Sequence, residues 1–182
     1  MRCMDKQVVI FSESEVGRTL ERLAYQVLER HGACENLLVV GIQRRGVDLA
    51  MRLRSLLATR LQRDVPLGVL DINLYRDDWT SLESQPMINL TELPVDIDGR
   101  DILLVDDVLF TGRTIRAALE AVLDFGRPRS VELLVLVDRG HRELPIHADY
   151  AGKVVATARN ERVDVLTCEQ DGRDEVVLRG RE

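Results

Sequence analysis

The sequence contains few cysteines and no long apolar run. Its three cysteines, Cys3, Cys34 and Cys168, are scattered among 182 residues without a CxxC pair or a His/Cys cluster. This pattern argues against a disulfide framework and a structural zinc site. No apolar run approaches the roughly 20 residues that span a bilayer, and residues 1–11 lack the apolar segment of a signal peptide. We therefore expect a cytoplasmic protein with no membrane association.

Lysine is nearly absent, and acidic residues outnumber basic ones. Lys6 and Lys153 are the only lysines, and the formal net charge is −6. A net negative charge excludes a uniformly basic nucleic-acid coat, although a local basic face stays open. The arginines suit bidentate phosphate binding because the guanidinium group is a planar fork. Solvated surface positions are the alternative for any single arginine.

Apolar runs alternate along the chain with helical stripes. The length allows one sizeable hydrophobic core, and apolar spacing predicts helices over 14–30, from about Gly46 and from about Ile115 to before Gly126. Apolar runs indicate strands at 37–41, 65–75, 101–106 and 131–138. Strands that alternate with helices predict an α/β fold, with an open, mostly parallel, twisted sheet covered by helices on both faces.

The end of the chain and one polar stretch differ in character. Short β-like pieces occur at 153–156, 163–168 and 176–179, the last two joined across Asp171-Gly172. We interpret residues 1–182 as a single domain, with a core at about 8–150 and a small β-rich flap at about 150–182. The polar segment 76–86 is predicted to be a long loop, a length that usually carries function.

A short polar loop follows the most apolar strand. It comprises Thr111, Gly112, Arg113 and Thr114, and the third predicted helix begins beside it. In open α/β sheets, ligands bind at the carboxyl ends of the strands, where a helix N-terminus presents unpaired amides to an anion. Gly112 lets the backbone approach a phosphate, the threonines offer hydroxyl donors and Arg113 offers charge. These residues predict a cradle for a monophosphate.

Two adjacent carboxylates, Asp106 and Asp107, stand between that strand and the loop. Ionised carboxylates only accept hydrogen bonds, so their natural partners are the vicinal hydroxyls of a ribose or a bound Mg²⁺. Helix capping explains one such residue but not two consecutive acids after a buried strand. The chain has neither a GxxxxGK[ST] loop nor a GxGxxG fingerprint. The pair and the cradle together predict a phosphorylated pentose as ligand.

These residues carry a resemblance to a known family. The stretch VDDVLFTGRT (105–114) is similar to the phosphoribosyl pyrophosphate (PRPP) motif of type I phosphoribosyltransferases. Purine-salvage members have Asp where this chain has Phe110, which disfavours a purine substrate. The stretches GIQRRG (41–46), LDINLYRDD (70–78) and GRPRSVELLVLVDRGHRELPIHADYAGK (126–153) resemble the PyrR family, pyrimidine operon regulators that are also uracil phosphoribosyltransferases. The similarity covers about residues 8–179 and implies the type I phosphoribosyltransferase fold with a small β-rich hood.

The resemblance also implies an activity. Uracil would displace pyrophosphate from PRPP to give UMP, with Mg²⁺ present as the PRPP complex. Asp106 and Asp107 would be the catalytic residues, because they would hold the ribose hydroxyls and favour positive charge on the sugar ring. The substrate would further contact the residues that follow the acids, namely Val108, Leu109, Phe110, Thr111, Gly112, Arg113 and Thr114.

Other substrate contacts are implied elsewhere in the chain. Arg44, Arg45 and Gly46 in the QRRG turn, and Arg76 in the long loop, are candidates for binding pyrophosphate. Family members usually have Thr at the position of Arg44, so its role is the least defined. Uracil would be bound by backbone groups and by two further residues, Arg139 and Val163.

A regulatory role is the second implication. PyrR proteins known for attenuation bind the leader of the pyr operon mRNA, with UMP as effector, and form homodimers or larger homo-oligomers. Arg142 and Lys153 match basic residues of that RNA face, whereas His147 replaces an Arg. Glu21 replaces a Thr and Tyr25 a His, changes that reduce attraction to phosphate. Two alternatives stay open: a uracil phosphoribosyltransferase without attenuation, and a nucleotide-sensing regulator without catalysis.

Overall fold

The computed structural model describes residues 7–75 and 91–180. Within these ranges the strands are β1 (Gln7–Phe11), β2 (Leu37–Ile42), β3 (Leu67–Leu70), β4 (Asp101–Leu109), β5 (Ser130–Asp138), β6 (Tyr150–Val154), β7 (Arg162–Leu166) and β8 (Glu175–Arg179). The helices are α1 (Glu13–His31), α2 (Arg45–Leu61), α3 (Arg113–Leu123) and the short α4 (Cys168–Asp171). No helix in these ranges is long and apolar enough to cross a membrane.

The main sheet is parallel and has five strands in the order β3-β2-β4-β5-β6. Its central strands are apolar on both faces because helices cover both. Side chains of α1 and α2, such as Leu23 and Leu53, pack with one face of β2, β4 and β5. Side chains of α3, such as Ile115 and Ala118, pack with the opposite face. The predicted α/β class and parallel sheet are confirmed.

Helix α1 has a capping residue at each end. Ser12 is the N-cap, and its amide donates to the Glu15 carboxylate over 2.8 Å. At the other end Gly32 has φ +54° and donates its amide to the Leu28 carbonyl over 2.8 Å. A glycine tolerates that positive φ without steric cost. The predicted helix over 14–30 is confirmed, with one extra residue at each end.

The predicted strand at 65–75 is wrong over much of its length. Strand β3 ends at Leu70, and a 3₁₀ turn spans Asn73–Tyr75. The Asp71 carboxylate accepts the Asn73 amide over 2.9 Å, so the side chain replaces a strand partner and turns the backbone. The predicted loop at 76–86, with Arg76, lies outside the described residues.

Strand β4 is longer than the apolar run alone predicted. The parallel pairing with β5 continues through Asp106↔Val135 and Val108↔Val137 to the last residue of the strand. Asp106 therefore lies within the strand as predicted, and Asp107, expected just after it, lies within it as well. The pairing fixes the backbone at Asp106 and at Val108, on both sides of Asp107.

The second sheet is an antiparallel hood with the order β1-β8-β7. The sequence predicted a flap built from about residues 150–182 alone, and the structure corrects this prediction in two places. Strand β1 comes from the beginning of the chain, and β6 belongs to the main sheet, parallel to β5. The close approach of β6 needs Gly152, because a Cβ there would lie 2.4 Å from the Leu136 carbonyl oxygen. Helix α4 also separates the last two strands, which were expected to join directly.

Candidate active site

Three chain segments meet at the carboxyl edge of the main sheet, after β2, β4 and β5. The turn 43–46 contacts β4 so closely that a Cβ on Gly46 would lie 2.5 Å from the Val105 carbonyl oxygen. The Arg139 amide donates to the Leu109 carbonyl over 3.1 Å, which joins the segments after β4 and β5. The structure thus brings together the main residues that the sequence singled out.

The acid pair occupies the centre of this edge. Asp106 is 6% exposed and Asp107 is partly buried. The Asp107 amide donates to Oδ1 of Asp106 over 2.9 Å, and the Val108 amide donates to Oδ1 of Asp107 over 2.8 Å. One oxygen of each carboxylate is therefore held by the adjacent backbone.

Burial dominates the electrostatics of the pair. It raises the pKa of Asp106 well above its usual range, and the neighbouring charge of Asp107 adds to the shift. Burial also raises the pKa of Asp107, although the Val108 amide and the charge of Arg45 oppose the change. The site thus holds two carboxyl groups whose ionised forms need a hydrogen-bond donor or a cation.

The loop after β4 forms the N-terminus of α3. Gly112 has φ +93°, and a Cβ on it would lie 3.3 Å from Cβ of Ile146. The Thr111 carbonyl accepts the amides of Glu143 and Leu144 over 2.9 and 3.3 Å, which fixes the loop against the next segment. The first amides of a helix have no acceptor within it. This turn therefore has the arrangement that binds a phosphate.

Arg113 and Thr114 are the first residues of α3. The Arg113 guanidinium donates to the Glu143 carboxylate over 2.8 Å. Its charge is consequently shared with an acid, whereas the sequence had assigned it to the phosphate. Thr114 is half-buried on the first turn of the helix.

The turn after β2 carries the two arginines predicted to bind pyrophosphate. The peptide bond between Gln43 and Arg44 is cis. Arg44 is exposed and is the N-cap residue of α2. Arg45 lies beside the acid pair and donates to the Asp171 carboxylate of the hood over 3.1 and 3.3 Å. Only Arg45 of the two is held in place.

A cavity of about 450 Å³ opens between this edge and the hood. Of the predicted residues, Val108, Phe110, Arg139 and Val163 line it. The side chain of Leu109 is buried in the core, so this residue offers only its backbone. The sequence missed the remaining residues of the lining, which come from a polar turn without a motif: Arg159, Asn160, Glu161 and Arg162.

Arg139 is a buried charged residue of the cavity wall. It is 6% exposed, and its guanidinium carbon lies 4.0 Å from the centre of the Phe110 ring. One terminal nitrogen donates to the Ala158 and Arg159 carbonyls over 3.2 and 3.4 Å. Its buried Nε–H has no hydrogen-bond partner within the described residues. A buried donor without a partner costs free energy, so a ligand acceptor here would be favourable.

Of the three predicted RNA-binding residues, two are exposed, and the third has its donors engaged by other groups of the protein. His147 and Lys153 lie on the surface, and the Lys153 ammonium lies 5.1 Å from the centre of the Phe11 ring. Arg142 donates to the Ile146 and Phe110 carbonyls over 2.9 and 2.8 Å, and it is paired with Asp138. These internal contacts support a structural role for Arg142, and its contact with RNA stays a prediction.

Two of the three substituted positions of that predicted face lie on α1. Glu21 is exposed, and Tyr25 is 53% exposed with the Arg60 guanidinium 3.9 Å from its ring centre. Neither Glu21 nor Tyr25 therefore adds a positive charge to the predicted RNA-binding face.

Comparison with known proteins decides the family. The profile of the phosphoribosyl transferase domain matches residues 10–168. A relative named Bifunctional protein PyrR from Pelotomaculum thermopropionicum is 50% identical over 169 residues, covering 93% of both chains. A protein of the same name from Deinococcus radiodurans is 51% identical over 172 residues, covering 94% of both chains. The chain belongs to the PyrR family. It is a phosphoribosyltransferase, as the PRPP motif predicted.

More distant solved structures share the fold of this PyrR family member. A hypoxanthine phosphoribosyltransferase from Trypanosoma cruzi has a TM-score of 0.73 at 22% identity and covers 96% of both chains. A hypoxanthine-guanine phosphoribosyltransferase from Bacillus anthracis has a TM-score of 0.69 at 15% identity, covering 98% of this chain and 99% of that one. The type I phosphoribosyltransferase fold with its hood is thus confirmed.

The raised pKa of Asp106 generates a prediction about stability. An acid whose pKa is higher in the folded than in the unfolded chain costs stability as the pH rises from its unfolded pKa through its folded pKa. Asp106→Asn removes this cost, so we expect a gain of about 1 kcal/mol at pH 7 that shrinks towards pH 4. Urea unfolding at both pH values measures it.

Asp101→Asn is the matched control. Arg129 lowers the pKa of Asp101, so this carboxylate stabilises the fold above its unfolded pKa and loses the effect as the pH falls through its folded pKa. The control variant should therefore be destabilised at pH 7. An Asp106→Asn protein destabilised to the same extent at pH 7 would contradict the assignment.

Proposed function

We propose that the protein transfers the phosphoribosyl group of PRPP to uracil, giving UMP and pyrophosphate. One observation carries the proposal: the buried acid pair, the amide-lined turn and a cavity containing an unpartnered arginine donor adjoin one edge of the sheet. Each feature fits a different part of a pyrimidine nucleotide.

The sugar and its 5′-phosphate would bind along the segment after β4. The amides of the Gly112 turn would receive the phosphate, with hydroxyl groups from Thr111 and Thr114. The carboxylates of Asp106 and Asp107 would accept the two ribose hydroxyls. Val108 and Leu109 would contribute the backbone between these two groups.

The reaction would be a substitution at the anomeric carbon. The bond from that carbon to the pyrophosphate oxygen breaks as the bond to a uracil nitrogen forms, and positive charge develops on the sugar ring. The proton of that nitrogen leaves with the departing pyrophosphate or passes to water. The ionised acid pair would stabilise this charge, and no covalent nucleophile is required. A hood over the cavity would exclude water, which competes with uracil as acceptor.

Departure of pyrophosphate requires positive charge nearby. Carboxylate oxygens are ligands that Mg²⁺ accepts, so the acid pair fits a magnesium complex of PRPP. Such an ion neutralises charge on the leaving group. Arg45 would bind the same group from the turn 43–46. Arg44, and Arg76 outside the described residues, stay proposals for this role.

Uracil would bind in the cavity of about 450 Å³. The Nε–H of Arg139 would donate to a uracil carbonyl, while Phe110 and Val163 would contact the ring. Phe110 cannot offer the carboxylate that purine-salvage relatives have at this position. This difference supports a pyrimidine as acceptor.

Regulation of pyrimidine genes is a second candidate function. It is favoured by the name Bifunctional protein PyrR that the relatives carry, and we propose the leader of the pyr operon mRNA as the partner and UMP as the effector. Lys153 and His147 are exposed and could contact phosphates. Glu21 on the same predicted face would repel them. We also propose a single domain over 1–182 and a homo-oligomer as the working unit.

A substrate screen tests the catalytic proposal. PRPP and Mg²⁺ are supplied with uracil, orotate, hypoxanthine or adenine, and pyrophosphate release is measured. We expect turnover with uracil only, because Phe110 occupies the position of the Asp that meets the base in purine-salvage relatives. An Asp106→Asn/Asp107→Asn protein should lose at least about a thousandfold in kcat while keeping its circular dichroism spectrum. Turnover of a purine, or full activity of the double variant, would refute the proposal.

A gel shift with the protein's own operon leader tests the regulatory proposal. We expect UMP to strengthen binding and salt to weaken it. Lys153→Gln should weaken binding and reduce the slope of log K against log salt by about 0.7–0.9, since one phosphate contact is lost. Arg63→Gln, on an exposed arginine beyond α2, is the control with unchanged binding. Absent or salt-insensitive binding would remove the regulatory function.

A further inference from the structure

One side chain of the hood, that of Asp171, pairs with Arg45 in the turn after β2. Asp171, the last residue of α4, accepts the Arg45 Nε–H on Oδ2 over 3.3 Å and a terminal N–H on Oδ1 over 3.1 Å. On the basis of the function proposed above, we infer that Asp171 is a positioning residue for pyrophosphate. It binds one edge of the Arg45 guanidinium and holds the group beside the acid pair, so that the opposite edge of the guanidinium meets the leaving group.

The geometry of the guanidinium supports this inference. Arginine has five N–H donors on a planar fork, and a bidentate carboxylate uses one edge of it. The Nη1 edge of Arg45 makes no hydrogen bond to the residues within 7–75 and 91–180. An unpaired arginine would sample many rotamers, so fixing one edge reduces the entropy lost when the other edge binds.

Asp171 is itself held in place. Its Oδ2 also accepts the Thr167 amide over 3.0 Å, across the single turn of α4. On the other side, the charge of Arg45 lowers the pKa of Asp107 against the effect of burial. Arg45 is therefore held by a fixed carboxylate of the hood and acts electrostatically on a carboxylate of the sheet.

The hood does not depend on Asp171 for its attachment to α2. Arg52 donates to Glu169 over 2.9 Å and to Asp174 over 2.8 Å. The Thr167 hydroxyl donates to the buried Asp48 carboxylate over 2.9 Å. These contacts remain when the Asp171 carboxylate is removed. Asp171→Asn should thus affect Arg45 without releasing the hood.

A comparison of pyrophosphate binding with UMP binding distinguishes a positioning role of Asp171 from a purely structural one. Pyrophosphate would contact Arg45, whereas UMP lacks the pyrophosphate group and uses the acid pair, the phosphate turn and the cavity. For Asp171→Asn we expect the inhibition constant of pyrophosphate and the KM for PRPP to rise about tenfold, the usual scale for a lost charged hydrogen bond. The Kd of UMP should stay within about twofold. Asp171→Glu, which keeps the carboxylate, should recover part of the loss.

Glu169→Gln is the control variant. Glu169 makes an ion pair of the same kind in the same helix, but with Arg52, so all three constants should match those of the wild type. Arg45→Gln reports on the arginine itself and should weaken pyrophosphate at least as much as Asp171→Asn.

Each deviation has a definite meaning. If Asp171→Asn weakens UMP and pyrophosphate equally, Asp171 is structural and the inference is wrong. If Arg45→Gln weakens pyrophosphate but Asp171→Asn does not, positioning is refuted and the proposed function stands. If neither variant changes pyrophosphate binding, Arg45 does not bind the leaving group, and the inference falls with it. Failure of the wild type to turn over uracil would instead refute the proposed function.

Discussion

The site depends on two ionisable groups that the backbone forces into a buried position. Strand β4 places Asp106 and Asp107 in succession on its last residues, where pairing with β5 leaves the main chain no freedom to move them apart. Burial raises both pKa values, and the adjacent amides and Arg45 offset only part of that cost. A buried acid pair that costs stability is typical of a functional site, where a bound ligand supplies the missing hydrogen-bond donors or cations. The segments around the pair can contact such a ligand.

Each neighbouring segment supplies one kind of contact. The turn after β2 approaches the strand through Gly46 and brings Arg45 to the acids. The continuation of β4 supplies the Gly112 turn and the N-terminus of α3. The segment after β5 supplies Arg139, and the hood closes the cavity with Val163. Because parallel strands end at one edge of a sheet, groups distant in the chain converge without any long-range loop.

Local patterns predicted the central sheet and the middle of the site. Apolar runs covered on both faces indicated β2, β4 and β5, and apolar residues at helical spacing indicated α1. The acids and the Gly112 turn could be found because they are contiguous in the chain. Asp71 ended a predicted strand early, since one side-chain hydrogen bond outweighed the apolar pattern around it.

The remaining features depend on contacts between distant residues. Strand β1 joins the hood from the opposite end of the chain, and no local pattern names its partner. The lining of the cavity at Asn160, and the pairing of Asp171 with Arg45, arise from a hood that folds back onto α2. Arg142 has the composition of a surface cation, yet its donors bind internal carbonyls. Charge and spacing do not reveal whether such a side chain faces solvent or binds carbonyl groups inside the protein.

The most direct test is a crystal structure of the protein with UMP bound. The account predicts the phosphate within hydrogen-bond distance of the amides around Gly112, the ribose hydroxyls on the carboxylates of Asp106 and Asp107, and the base against Arg139. A nucleotide bound elsewhere, with the acid pair and the Gly112 turn left free, would contradict it.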